Sequence, residues 1–90
     1  MLSLQDCVDF SDLSEDEIDA IAEHEHVPPI VAAELGSTLL RTKAGACLIK
    51  LYLLDNIERA RRIGQFDKAR RLDALLRRFE REHPGVPVLQ

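Results

Sequence analysis

Ninety residues with 16 Asp and Glu, 12 Lys and Arg, 4% aromatics and no Trp read as one small domain, too short for a catalytic domain joined to a regulatory one. A hydrophobic fraction of 46% excludes wholesale disorder, and Cys7 and Cys47 supply neither a disulfide framework nor a CxxC pair. No long apolar run and no signal-peptide pattern is present, so the expectation is a soluble, cytoplasmic protein away from the membrane.

The net charge of −4 conceals a segregation. Residues 1–40 hold ten acids and no Lys or Arg, whereas residues 41–90 hold all 12 bases and six acids. So complete a split points to internal pairing or to a charged partner.

Residues 1–13 mix Leu2, Leu4, Val8, Phe10 and Leu13 with Asp and Ser at no dominant period. They read as an irregular arm packing its apolar residues on the domain, or as a short first helix. Ser14 opens the first clear helix, over 14–26. Ser14-Glu15-Asp16-Glu17 is a capping box, and Leu13 and Ile18 have the spacing of a hydrophobic staple. The acids of the first turn complement the helix dipole. Val27-Pro28-Pro29 ends this helix, because a residue before proline avoids the α region. Proline is tolerated in a first turn, so the pair also starts helix two, over 29–40. There Ala32, Ala33, Gly36 and Ser37 form a small-residue side suited to close helix approach.

Thr42 is the expected cap of helix three, over 43–63. Its first half is apolar nearly all round, broken only by Lys50, as in a buried central helix. Its second half narrows to Leu53, Ile57, Ala60 and Ile63. Gly64 suits a left-handed C′ position. Asp67 is the expected cap of helix four, over 67–82, where Ala69, Leu72, Leu75, Leu76 and Phe79 make an amphipathic stripe. His83-Pro84-Gly85 ends it, leaving residues 83–90 as a tail. The expected architecture is all-α: about four helices, an N-terminal arm, a central helix three and an antiparallel helix 3–4 hairpin.

The turn Ile63-Gly64-Gln65-Phe66-Asp67-Lys68-Ala69 resembles the G-x-[FY]-x-x-A turn of tetratricopeptide-type helical hairpins. The match covers one helix pair and implies antiparallel helices and a tight turn, not a repeat array or any binding residue. Leu13-Ser14-Glu15-Asp16-Glu17-Ile18 and Glu23-His24-Glu25-His26-Val27-Pro28 resemble a segment of small uncharacterised bacterial all-helical proteins. That resemblance implies no activity.

Glu23-His24-Glu25-His26 carries metal-type ligands, but His24 and His26 stand about 200° apart on a helix, whereas helical chelates use i,i+3 or i,i+4. No metal or other cofactor is expected, His24 and His26 being only weak candidates. Catalysis lacks a nucleophile with a base in reach, and no phosphate loop, Walker motif or HExxH occurs. The expectation is a protein that is not an enzyme.

Nine of the 12 bases are Arg, the side chain suited to bidentate contact with carboxylate or phosphate. On helix four, Arg70, Arg77 and Arg81 lie about 140–180° from Leu72, with Arg71 and Arg78 at about 240–260°. The sequence thus favours a small interaction or regulatory protein that docks a protein partner or itself. The contact is assigned to Arg59, Arg62, Arg70, Arg77, Arg78 and Arg81. Leu51 and Leu54, facing away from Ile49 and Leu53, are the anchors of an expected homodimer. Nucleic acid is the alternative reading of the basic hairpin. The pI of 5.3, the acidic front section and the lack of stacking aromatics weigh against it.

Overall fold

Ser14 accepts the Glu17 amide on its Oγ at 3.2 Å, and Glu17 Oε1 accepts the Ser14 amide at 2.9 Å. This reciprocal pair starts helix α1, Glu15–Glu25, in the computed structural model, which describes residues 13–84. Most of the expected arm (1–12, including Cys7) and most of the tail (85–90) lie outside the described residues. Helix α1 ends with His26 in the left-handed conformation at φ 57°. Pro28 and Pro29 then lead into α2, Pro29–Leu39. Thr42 Oγ1 accepts the Gly45 amide at 2.9 Å and caps α3, Lys43–Arg62. Gly64, at φ 81°, turns the chain into α4, Phe66–Glu82.

Two local expectations are corrected. Helix α4 begins a turn-residue earlier than Asp67, from Gln65, and no side chain caps it. Asp67 instead pairs with Arg70 within the first turn, where its charge still faces the helix dipole favourably. Ile63 does not extend the apolar stripe of α3. The helix ends at Arg62, and Ile63 is carried into the turn, 64% exposed.

The molecule is all-α, with four helices and no strand among the described residues. Helix α3 is the hub, touching α1, α2 and α4, and the α3–α4 hairpin is the most extensive contact. Its Ala46, Ile49, Leu53, Ile57 and Ala60 are buried against α1, α2 and the Leu72, Leu75, Leu76 and Phe79 stripe of α4. Ala32, Ala33 and Gly36 of α2 are buried as well, with Leu13 and Ile21 lying against Gly36. Asn56, buried in α3, donates from Nδ2 to the Ala20 carbonyl at 2.9 Å and so ties α3 to α1. No described helix is long and apolar enough to cross a membrane.

Candidate functional site

The polar face of α4 divides into two groups of arginines. Arg70 and Arg77, about 140–160° from Leu72, are each neutralised within their own helix. Arg70 pairs with Asp67, and Arg77 Nε lies 3.2 Å from Asp73. On α3, Arg59 lies 3.5 Å and Arg62 2.6 Å from the acids four residues earlier, Asp55 and Glu58. Exposed i,i+4 pairs of this kind contribute a few tenths of a kcal/mol each. Five of the six arginines expected to meet a partner, Arg78 included through Glu82 at 3.7 Å, are therefore matched by acids of the rear half of the chain, not by those of residues 1–40.

Arg71, Arg78 and Arg81 turn the other way. Together with Lys68 they form one wall of a groove of about 550 Å³ between α4 and α1. Asp16, Asp19 and Glu23 of α1 form the opposite wall, and Ala20, Leu72, Ala74 and Leu75 supply an apolar lining. The walls meet near two points. Lys68 pairs with Glu23, and Arg78 Nη2 donates to Ser14 Oγ at 2.7 Å. Asp16, Asp19 and Arg71 lie between these clasps and Arg81 nearly one turn beyond the second, and none of the four has an ion-pair partner among the described residues. The acidic front and basic rear sections thus face each other across a groove without closing it.

Arg78 and Arg81 are the two groove residues that the sequence singled out for the contact. Arg71 was missed there, although it shares its angular position with Arg78. Asp16 and Asp19 were missed because their i,i+3 spacing marks a helix face but not the helix opposite it.

The His-rich segment is pulled apart. His26 is exposed at the left-handed cap. His24 turns onto α3: Nε2 lies 2.8 Å from Asp55 Oδ2, and the ring stacks on Tyr52 at a centroid distance of 4.2 Å. Its Nδ1 lies 3.6 Å from Glu25, outside hydrogen-bond range. No group of three potential metal ligands occurs among the described residues. Cys47 is a free, half-buried thiol on α3. Leu51 and Leu54 are 44% and 37% exposed.

Burial, followed by a hydrogen bond to Glu25 and the charge of that carboxylate, pushes the Tyr52 phenol up to about 12 from an ordinary value of 10.0. Each cause favours the neutral phenol, so its contribution to stability is complete below pH 10 and is lost between pH 10 and 12. Tyr52 is the chain's one tyrosine, so phenolate absorbance reads it without interference. The expected midpoint is near pH 12, falling toward the ordinary value in Glu25→Gln. A parent midpoint near pH 10 would contradict this packing of α1 on α3.

Comparison of the chain with protein-family models, with curated proteins and with solved structures gives no match.

Proposed function

We propose that this domain is a non-enzymatic interaction module whose α1–α4 groove docks an amphipathic segment of a partner protein. The observation that carries the reading is the pair Arg71 and Arg81, unpaired beside an apolar lining while most of the remaining arginines are matched locally. An unpaired guanidinium on a groove wall is suited to bidentate contact with a carboxylate. The apolar lining suits side chains at i, i+3 or i+4 of a helix laid in a groove. The occupant is therefore acidic along its α4 edge and apolar toward the lining. Phosphate backbones fit less well, because Asp16, Asp19 and Glu23 lie across the same groove and would repel them. In this reading the module acts as a homodimer in the cytoplasm, with Leu51 and Leu54 at the shared face.

Affinity capture from source-cell extract, with and without nuclease and at two salt concentrations, tests the reading. The protein captured by the parent chain is expected to be lost from Arg71→Glu/Arg81→Glu, with affinity falling at least about tenfold. Arg70→Glu/Arg77→Glu is expected to retain it, because those arginines already have partners. Equal capture by both variants would overturn the groove assignment. Capture that vanishes with nuclease would transfer the site to nucleic acid, for which affinity should fall linearly with salt in log–log form.

A further inference from the structure

Helix α3 has one side left partly exposed along its first three turns, before His24 of α1 reaches Asp55 farther along. With Leu51 set at 0° and about 100° per residue, the buried Ile49, Leu53, Asn56 and Ala60 centre near 180°. Ala44, Cys47, Leu48 and Leu54 fall within about 60° of Leu51. They form an apolar strip along the first three turns, half-buried at Cys47 and Leu48 and exposed at the others. Helices α1 and α4 pack on the flanks of the buried side through Asn56 and Lys50, whose Nζ lies 3.7 Å from Glu80. The α1–α4 groove consequently opens away from the strip.

We propose that this strip docks a second copy of the chain, the two α3 helices crossing antiparallel about a two-fold axis at Leu51. The proposal deepens the homodimeric reading by fixing its face and direction. Charge chooses the direction. Exposed Lys43, without an ion-pair partner among the described residues, lies about 12 Å before Leu51 along the helix, and Glu58 lies about 10.5 Å after it. An antiparallel pair brings Lys43 of each copy toward Glu58 of the other, where it shares that carboxylate with Arg62 of the same helix, and Leu54 toward Cys47. A parallel pair would set Glu58 against Glu58 and Arg62 against Arg62. One helix face falls short of the roughly 800 Å² per partner of a standard interface. The dimer is therefore weak, with a dissociation constant in the range of tens of micromolar, and it leaves both grooves open on its outer sides.

Sedimentation of the full chain up to about 0.2 mM reads the association, and cysteine crosslinking reads the face. In a Cys7→Ser/Cys47→Ser background, Leu51→Cys should oxidise to a covalent dimer faster than Ile63→Cys, which is exposed but lies off the strip. Leu51→Glu should weaken association at least tenfold. Lys43→Glu should weaken it about threefold, and adding Glu58→Lys should restore it. A chain that stays monomeric throughout overturns both the homodimer and its geometry. A dimer that crosslinks equally at both positions, or that the charge exchange does not restore, overturns the geometry alone. Neither result bears on capture through Arg71 and Arg81.

Discussion

Phe79→Ala is expected to destabilise the domain by about 3–5 kcal/mol, the range for truncating a fully enclosed aromatic. Phe79 is 0% exposed on the inner stripe of α4 and shares the core with Leu53, Ile57 and Leu76. Its ring also lies 4.4 Å from that of His83 at the C-terminal end of α4, so truncation loosens the helix end as well as opening a cavity. A domain of this length has a total stability of only about 5–13 kcal/mol, and such a loss leaves little in reserve. Urea unfolding should show a strongly lowered midpoint at an unchanged slope. Phe66→Ala removes the same ring from the same helix at a position that is 63% exposed, and should change stability by no more than about 0.5 kcal/mol. Comparable losses in the two variants would mean that α4 does not face α3 as described.

The two phenylalanines show what the sequence makes legible. Phe79 continues the Leu72, Leu75, Leu76 spacing, so its burial can be read from period alone. The same holds for the Ser14 and Thr42 caps, the proline break before α2 and the left-handed Gly64, all of which act within a few residues. Signals that depend on a distant partner are not legible in this way. Lys50 interrupts the apolar run of α3 and reads as its polar side, yet it is buried at 3% and lies near Glu80. Leu51 beside it is the residue that faces outward. The phase of the helix was set by Ala46, Ile49, Leu53, Ile57 and Ala60, and that phase turns residue 50 toward α4. Asn56 is similar: its identity does not announce the bond to the Ala20 carbonyl across two helices.

The candidate site follows the same division. The arginine ladder is visible in the spacing of α4, but its partition is not. Asp67 and Asp73 lie three and four residues before Arg70 and Arg77, so those pairs were available to a strictly local reading. Applied early, that reading would have removed Arg70 and Arg77 from the contact. The groove arises only when α1 stands beside α4 without packing closely on it. Its separation is set by what both helices bury against α3: Ile18 and Ile21 from one side, Leu75 and Phe79 from the other. Segregated charge is therefore a statement about the whole fold, in which two oppositely charged helix faces are held apart by a common core.

Gly45→Ala gives the sharpest disagreement between local and tertiary reasoning. Gly45 lies in the first turn of α3 at negative φ, and helix propensity alone would make alanine better there by up to about 1 kcal/mol. A Cβ at this position would overlap the Leu39 carbonyl oxygen and lie 2.6 Å from the Leu39 carbonyl carbon. That atom is backbone at the end of α2, held where the Thr42 amide donates to the Leu39 carbonyl at 3.3 Å. No rotamer change relieves such a clash; the α2–α3 corner must open, and the Thr42 cap shifts with it. The expected loss is about 3 kcal/mol, at the upper end for overpacking. Gly36→Ala is the milder case, although Gly36 is the glycine whose helical neighbours advertise close packing. Its Cβ would meet Leu13 Cδ1 and, at 3.0 Å, Ile21 Cδ1. Both are side-chain ends that can rotate, and the propensity gain offsets part of the strain, giving a net loss below about 2 kcal/mol. Urea midpoints should rank the parent above Gly36→Ala and Gly36→Ala above Gly45→Ala. A Gly45→Ala chain as stable as the parent would mean that α3 leaves the α2 corner along a different path, and with it that Leu51 need not face outward.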